Sequence, residues 1–287
     1  MENLAVLTMM AMCCCVNGKT IIDMSYELGP NATTWPNNPP FKLTPIARGF
    51  QTGGFWLEYN WFTTDEHRST HIDAPSHFFY GSQRVHQIPL ENLIGPGIVL
   101  RAHEEAKINS DYAINKDFIV NWEAKNGRIP EKAIVLLDFD WGKRYVNLDN
   151  NLIFNTETYE NTSTYHFPGI AGDAMTYLVM ERHIISIGTD TTSLDIAQTT
   201  DSPSHVICGR NNITIIENVA NLDKLPIKGS TVFVAPMKLH GGSGVPVRVF
   251  AILDEEPQTC NPSNMANNPN RLSRILLFFI FIILNIN

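Results

Sequence analysis

The segment EHRSTHIDAPSHFF constrains this chain more than any other feature, because it holds three histidines and an aspartate within eleven positions. On a β-strand, residues two and four apart share a face, so a strand predicts that His67, His71 and Asp73 project together. A helix would instead turn Asp73 about 200° away from His71. Neighbouring threonine and isoleucine residues favour the strand. Pro75 is expected to end it and to let His77 return over the same face.

The donor types in this segment favour a metal site. Two imidazoles and one carboxylate on one face are ligands that a divalent cation such as zinc or manganese accepts. The segment contains no cysteine, which disfavours a closed structural zinc site. No G-x-S-x-G turn occurs, and GGSG at 241–244 lacks the strand and helix that a serine nucleophile requires. Scattered histidines are usually surface or core residues, but this spacing makes that alternative the weaker one.

Short β-rich runs recur along the chain, with few helical segments between them. The best helix prediction is AGDAMTYLVMERH, where Met175, Leu178 and Val179 have helical spacing. No low-complexity linker or internal repeat interrupts the chain, so we predict one α/β domain over residues 19–262 with a mixed sheet or barrel. The predicted strands are KTIIDMS, FWLEYNWFTT, GIVLRA, AIVLLDFDW, HIISIGTD, ITIIENV and STVFVAPMKL.

The first eighteen residues resemble a signal peptide. They carry one charged residue and an apolar run, and Val16-Asn17-Gly18 supplies small side chains at the positions that a signal peptidase reads. We therefore predict a signal peptide over residues 1–18, cleaved after Gly18. A buried first strand or helix is the alternative interpretation.

The chain closes with ten unbroken apolar residues from Ile275 to Leu284. A helix of this run would cover roughly 15 Å, about half of a bilayer's hydrocarbon core. Small residues near Asn264 and a polar spacer from Asn267 to Arg274 precede it. This order predicts a glycosylphosphatidylinositol (GPI) anchor signal over residues 263–287, whose tail is removed. A short membrane tail left in place is the alternative.

Other features agree with a secreted protein, or one held by a lipid anchor at the extracellular face of the plasma membrane. Asn31, Asn161 and Asn212 each begin an N-glycosylation sequon. The predicted mature chain keeps Cys208 and Cys260, which either pair in an oxidising compartment or stay as two buried thiols. The formal net charge of -8 argues against a nucleic-acid partner.

The histidine segment resembles the H-x-G-T-H-x-D-x-P-x-H signature of the cyclase family, which includes bacterial kynurenine formamidase and isatin hydrolase. Ser69 stands where the signature has glycine, and we expect it to adjust the strand slightly without loss of metal. Further matching blocks are DMSYELGPNATTWPNNPPF, FPGIAGDA, IGTDTTSLD, IIENVANLDKLP and GGSGVPVRV. The resemblance implies a single α/β domain of the swivelling β/β/α type and a homodimer.

The resemblance also implies a two-metal site. His67, His71 and Asp73 would bind one divalent ion, and Asp73 would reach a second. The second ion would take His205 and Glu217, which have the family's twelve-residue separation, and Glu217 would bridge both ions. The ions would be zinc, with manganese as the alternative.

Local sequence agrees with the placement of the second pair. Ser202 followed by Pro203 predicts a helix start and Gly209 its end, which leaves His205 on a short helix. The run ITIIE reads as a strand carrying Glu217, although a glutamate there is also compatible with an exposed strand edge.

Other matching positions receive roles from the same resemblance. His77 corresponds to the family's proton-transfer residue, and Trp35 lies in the block where an aromatic residue contacts the substrate's ring. Core filling is the alternative role for Trp35. The block IGTDTTSLD, with Asp190 and Asp195, is expected to make structural turn hydrogen bonds and no chemistry.

The implied function is metal-dependent hydrolysis of a small-molecule amide. A metal-bound hydroxide would attack the carbonyl of an arylformamide such as N-formylkynurenine, and His77 would act as general acid and base. Two alternatives remain: a hydrolase of a cyclic amide such as isatin, and a secreted binding protein without turnover. Tryptophan catabolism through formylkynurenine is usually intracellular, whereas this chain carries secretory features.

Overall fold

Seven strands of a mixed sheet close into a barrel in the computed structural model, which describes residues 19–254. The order around the barrel is β12-β11-β5-β7-β9-β10-β4, and β4 pairs with β12 to close it, while β1 extends the sheet beside β12. The strands of the described residues are β1 (Ile21–Asp23), β2 (Lys42–Phe50), β3 (Trp56–Thr63), β4 (His71–Asp73), β5 (Ile94–Arg101), β6 (Ala113–Ile114), β7 (Ile134–Asp138), β8 (Gly169–Ile170), β9 (Ser186–Thr189), β10 (Thr214–Glu217), β11 (Ser230–Pro236) and β12 (Gly244–Leu253).

Helices connect the parallel part of the barrel. Strands β5, β7, β9 and β10 run parallel, and each connection between neighbours contains a helix because parallel strands need a crossover. The helices of the described residues are α1 (His103–Ile108), α2 (Lys116–Asn126), α3 (Asn150–Ile153), α4 (Gly172–Arg182) and α5 (Pro203–Arg210). No helix among residues 19–254 has the length and apolar character needed to cross a bilayer.

The barrel strands bury both of their faces. On β7, Ile134 and Leu136 belong to the cluster that fills the barrel, whereas Val135 and Leu137 belong to the cluster beneath the helices. This alternation follows from the two-residue period of a strand. Residues 20–254 therefore form one compact α/β domain around two apolar clusters.

The sequence predictions for the domain are mostly confirmed. All seven predicted runs contain a strand, and AGDAMTYLVMERH contains α4. Four strands were missed, namely β2, which contains a glycine and a proline, the two-residue strands β6 and β8, and β12, the longest strand of the described residues. The predicted signal peptide, the anchor signal and Cys260 lie outside the described residues. The pairing of Cys260 with the buried Cys208 stays a prediction.

Candidate metal centre

Two neighbouring strands carry the centre of the candidate site. Strands β4 and β10 pair antiparallel, with His71 opposite Glu217. Ile72 and Ile216 point into the barrel, so His71, Asp73 and Glu217 share the opposite face. This face lies beneath α5, and all three polar side chains are buried. The sheet therefore brings a histidine and two carboxylates together in a water-poor environment.

The prediction that one strand carries His67, His71 and Asp73 is wrong for His67. Strand β4 spans only His71–Asp73, and the residues before it form turns. Ser69 has a φ of 60°, a left-handed conformation that breaks a strand and that glycine adopts most easily. The Ser69 hydroxyl lies 3.1 Å from the carbonyl of Glu27 and donates to it. The backbone reversal at this position, more than a small adjustment, brings His67 back to the site.

His67 approaches the site from outside the sheet. Its Nδ1 lies 2.7 Å from Asp73 Oδ1, and its ring centroid lies 5.2 Å from that of His71 at an interplanar angle of 89°. His67 is half-buried, whereas His71 and Asp73 are buried. The structure thus groups the three residues that the resemblance assigns to the first ion.

His71 presents a nitrogen without a hydrogen-bond partner. Its Nδ1–H donates to the carbonyl of Ser69 at 3.0 Å, so in the neutral ring Nε2 carries a lone pair. That Nε2 is buried and faces Asp73 Oδ1 and Glu217 Oε2, each at 3.3 Å. Three acceptors facing each other in a buried site leave a position that suits a positive charge.

His205 repeats this arrangement from the other side. It lies on α5, and its Nδ1 bonds to Asp195 Oδ2 at 2.6 Å. Its Nε2 faces Glu217 Oε1 at 3.1 Å and Asp73 Oδ2 at 3.7 Å. Glu217 Oε1 also accepts the backbone N–H of Leu194 at 3.0 Å, which fixes that carboxylate. His205 and Glu217 therefore meet, as the family resemblance implies.

The helix that carries His205 begins at Pro203, as predicted, but without the predicted cap hydrogen bond from Ser202. Ser202 precedes Pro203, but it has a φ of 44° and its side chain forms no cap hydrogen bond. Asp195 supplies the cap instead, because its carboxylate accepts the backbone N–H groups of Ser204 at 2.9 Å and His205 at 3.1 Å. Asp195, predicted to have a purely structural role, is therefore in direct contact with a candidate ligand.

The charges of the site favour a cation. Burial lowers the pKa of His71, but Asp73 and Glu217 outweigh it and raise that pKa to about 10. Burial also lowers the pKa of His205, whereas Asp195 and Glu217 raise it to about 10. The pKa of Asp73 is raised by burial but held well below its usual range by His67. Without an ion, the carboxylates therefore draw protons onto the imidazoles.

The donor atoms fit two metal positions that share one residue. Within residues 19–254, the ligand atoms of His67, His71 and Asp73 lie within 4.8 Å of one another, and so do those of Asp73, His205 and Glu217. Imidazole nitrogens and carboxylate oxygens are ligands that zinc and manganese both accept. The buried Nε2 of His71, which has no hydrogen-bond partner, is the observation that fits a metal most directly.

His77 lies at the edge of these donors. It follows Pro75 on a single turn of 3-10 helix, and its ring stacks on His67 with centroids 4.0 Å apart. One side of His77 is exposed, and loss of water on the packed side lowers its pKa, with His67 and His205 adding to this effect. Neither ring nitrogen of His77 forms a hydrogen bond within the described part of the chain, so both are free to exchange protons.

Phe78 was not singled out from the sequence. Its ring lies 4.6 Å from the ring of His77 and 4.3 Å from that of His205, measured between centroids. The close packing of α5 against this segment depends on Gly209, where an added Cβ would lie 2.8 Å from the carbonyl oxygen of Pro75. The position of Phe78 beside both His77 and His205 is seen only in the folded structure, so the sequence alone did not identify it.

Trp35 lies in a cluster of aromatic residues. It is half-buried, with its ring 5.3 Å from that of Phe154 and 5.8 Å from that of Tyr165. On the side of its ring that faces Phe154 and Tyr165, Trp35 fills the core, which is its alternative predicted role. The predicted contact of Trp35 with a substrate stays a prediction.

Known proteins resemble this chain in sequence and in structure. A family model described as "Putative cyclase" matches residues 22–196. An isatin hydrolase from Roseibium aggregatum is 30% identical over 247 residues, covering 81% of this chain and 91% of that protein. A kynurenine formamidase from Polaromonas naphthalenivorans is 26% identical, covering 82% and 87%. A crystal structure of an isatin hydrolase bound to the product analogue thioisatinate has a TM-score of 0.75 and 28% identity, covering 89% of this chain and 100% of that one.

Proposed function

The chain belongs to the cyclase family, and from this membership we propose that it is a metal-dependent hydrolase that cleaves the carbon–nitrogen bond of a small aryl amide. The relatives named isatin hydrolase and kynurenine formamidase both act on amide bonds. The observation that carries the proposal is the buried Nε2 of His71, which faces two carboxylates at 3.3 Å without meeting the geometry of a hydrogen bond.

Five residues would hold the ions. His67, His71 and Asp73 would bind the first, and Asp73, His205 and Glu217 the second, with zinc as the ion and manganese as the alternative. Bound divalent cations supply a water ligand of lowered pKa and polarise a substrate carbonyl. Asp73 and Glu217 neutralise only part of the charge of two such cations, so the site keeps a positive field for an oxyanion.

His77 would move the proton. Because its pKa is lowered, the ring is neutral at neutral pH and can accept a proton. The same ring can then donate that proton to the leaving nitrogen, which an amine needs in order to depart. Its exposed position and its stacking on His67 put it between the candidate ligands and solvent.

We propose an arylformamide of the N-formylkynurenine type as the substrate, and a cyclic aryl amide such as isatin as the second candidate. The Phe78 ring beside His77 supplies an apolar surface that suits an aryl group. The second candidate is supported by the 30% identity with an isatin hydrolase. Both reactions need the same carbonyl attack and the same proton transfer to nitrogen.

The test is hydrolysis by the purified protein with defined metal content. Protein stripped with a chelator and reloaded with zinc or manganese is assayed by absorbance on N-formylkynurenine and on isatin. We expect turnover of at least one substrate, no turnover after stripping, and a loss of about 10²- to 10⁴-fold in kcat for His77→Ala. Absence of turnover on both substrates with either metal would overturn the proposal and favour a binding protein.

We propose a homodimer that uses the β2–β3 ribbon. This two-stranded sheet is separate from the barrel, and its apolar side chains are exposed, including Phe50 at 78% and Trp56 at 51%. An isolated ribbon is marginal in water, and a stable interface takes about 800 Å² from each partner. Light scattering should give the mass of a dimer for the protein and of a monomer for Trp61→Glu. A monomeric wild-type protein would contradict this.

We also propose that the protein enters the secretory route and carries a lipid anchor. The asparagines of the three sequons, Asn31, Asn161 and Asn212, are all exposed, which is compatible with glycosylation. Expression of the full chain in animal cells should give a surface protein that peptide N-glycosidase shortens and that phosphatidylinositol-specific phospholipase C releases. Protein retained inside the cells without glycans would contradict the proposal.

A further inference from the structure

The loop at residues 241–244, between β11 and β12, is fixed against the candidate site. The backbone N–H of Ala74 donates to the carbonyl of Ser243 at 2.8 Å, and that of Val85 donates to the carbonyl of Gly242 at 3.1 Å. The guanidinium of Arg84 donates to the carbonyl of Gly241 at 2.7 Å. These contacts hold the Ser243 side chain in a defined position beside His67.

Glu66 sets the direction of the Ser243 hydroxyl. One oxygen, Oε2, lies 2.5 Å from Ser243 Oγ and 3.0 Å from the backbone nitrogen of the same residue. The backbone N–H of Gly244 also points to this oxygen, at 3.3 Å. A carboxylate only accepts hydrogen bonds, so the hydroxyl of Ser243 must donate to Glu66.

The direction of the Ser243 hydroxyl determines which ring nitrogen of His67 carries a hydrogen. Ser243 Oγ lies 3.2 Å from His67 Nε2. Because its hydrogen points to Glu66, Oγ can only accept from this nitrogen, so Nε2 carries a hydrogen. In the neutral ring Nδ1 is then bare, and it lies 2.7 Å from Asp73 Oδ1. Two acceptors at that distance require a positive charge between them.

Gly244 holds the same ring from a second side. A Cβ added to Gly244 would lie 2.4 Å from Cε1 and 2.8 Å from Nδ1 of His67. Only a residue without a side chain leaves room for the ring there. The ring plane and the hydrogen position of His67 are therefore both determined by residues of the same loop.

We propose that Glu66 and Ser243 are positioning residues that keep His67 in the Nε2–H form and direct its Nδ1 to the metal position beside Asp73. This inference rests on the proposed metal-dependent function. It gives the GGSG motif a role, and that role is not nucleophilic. The Ser243 hydroxyl hydrogen is bound by Glu66, and the facing imidazole nitrogen carries a hydrogen instead of a free lone pair.

The first measurement reads the tautomer in metal-free protein. Long-range ¹H–¹⁵N correlation spectra of the imidazoles distinguish Nδ1–H from Nε2–H rings, and a His67→Ala spectrum assigns the signals. We expect a hydrogen on Nε2 of His67 in the wild-type protein, whether or not Asp73 also draws a hydrogen onto Nδ1, and loss of the Nε2 hydrogen in Ser243→Ala. A second variant, Glu66→Ala, frees the hydroxyl to donate to Nε2, so it should shift His67 to the Nδ1–H form. A wild-type His67 with the Nδ1–H pattern would overturn the proposal.

The second measurement is zinc affinity by competition with a chelator. We expect Ser243→Ala to bind zinc about 10- to 100-fold more weakly, whereas Ser243→Thr, which keeps the hydroxyl, stays within about threefold of wild type. Ser82→Ala is the matched control, since Ser82 donates to the carbonyl of Gly209 and to none of the candidate ligands. Equal zinc affinity of Ser243→Ala and wild type would contradict the inference. If the wild-type protein binds no metal, the proposed function fails, and the tautomer spectra still decide the orientation of His67.

Discussion

Asp195 holds His205 at two points. Its Oδ2 bonds to the ring Nδ1 at 2.6 Å and accepts the backbone N–H of the same residue at 3.1 Å. Its Oδ1 accepts the backbone N–H of Ser204, at the start of α5. One carboxylate therefore fixes both the beginning of a helix and the orientation of a candidate ligand on it, which leaves Nε2 directed at Glu217.

Asp195→Asn should weaken metal binding while α5 stays folded. An amide oxygen can still cap the helix, because asparagine is as good a cap as aspartate. The amide nitrogen cannot accept a hydrogen bond. The His205 ring therefore loses either the partner of its Nδ1–H or the tautomer that carries a hydrogen on Nδ1. We expect zinc affinity to fall about 10- to 100-fold in a chelator competition. Asp111→Asn is the control. Asp111 lies away from the site, where it pairs with His166 at 2.7 Å, so this variant should bind zinc normally. Unchanged affinity in Asp195→Asn would contradict this role.

The sharing of Asp73 predicts an unequal loss of ions. Asp73 belongs to both groups of donors, whereas His67 and His205 each belong to one. Elemental analysis should therefore find two metal ions per chain in the wild-type protein, one in His67→Ala, one in His205→Ala and fewer than one in Asp73→Asn. Loss of both ions from either histidine variant would show that the positions do not fill independently.

The sequence was sufficient for the parts of the site that depend on local periodicity. His71 and Asp73 share a strand face because they are two residues apart, and Glu217 ends a strand of β-branched residues. The seven strand predictions were right for the same reason: five of their apolar runs form barrel strands, and the other two form β1 beside the barrel and the ribbon strand β3. The pairing of His205 with Glu217 was inferred from the family resemblance. In the structure, the end of α5, a short loop and strand β10 span the separation between the two residues.

Contacts between distant segments could not be predicted from the sequence. Glu66 and Ser243 are separated by 177 positions, and neither has a local pattern that pairs it with His67. The role of Asp195 depends on the loop between β9 and α5, which places Asp195 beside the start of α5. No periodicity in the sequence predicts that placement. Ser69 illustrates a backbone effect: its left-handed conformation interrupts a segment whose side chains otherwise read as a strand.

Ser69 should tolerate glycine better than alanine. Its φ of 60° costs a side chain roughly 1 kcal/mol, which glycine avoids. The hydroxyl offsets this cost by donating to the carbonyl of Glu27, and alanine keeps the strain without the hydrogen bond. We expect Ser69→Ala to lower the free energy of unfolding about 1 kcal/mol more than Ser69→Gly, measured by urea denaturation. Equal stability of the two variants would mean that the conformation carries no strain.

The pair of Glu123 on α2 and Arg182 on α4 predicts a pH dependence of stability. Glu123 accepts two hydrogen bonds from Arg182, at 2.6 and 2.7 Å, one from Tyr177 and one from the backbone of Ile129. Burial raises the pKa of Glu123, but these donors outweigh burial and lower it from 4.5 to about 2. The folded state therefore binds the proton of Glu123 less tightly than the unfolded state does.

Because the folded pKa is depressed, the contribution of Glu123 is fully present above 4.5 and is lost as the pH falls from there toward about 2. The wild-type protein should lose about 2 kcal/mol of unfolding free energy over this window beyond the loss seen in Glu123→Gln, once the partial exposure of the pair is allowed for. At neutral pH Glu123→Gln should itself be about 2 kcal/mol less stable, since the largely buried Arg182 loses its counter-charge. Urea denaturation at several pH values measures both effects. Glu181→Gln, an exposed neighbour of Arg182, should follow the wild-type curve, and parallel curves for wild type and Glu123→Gln would contradict the linkage.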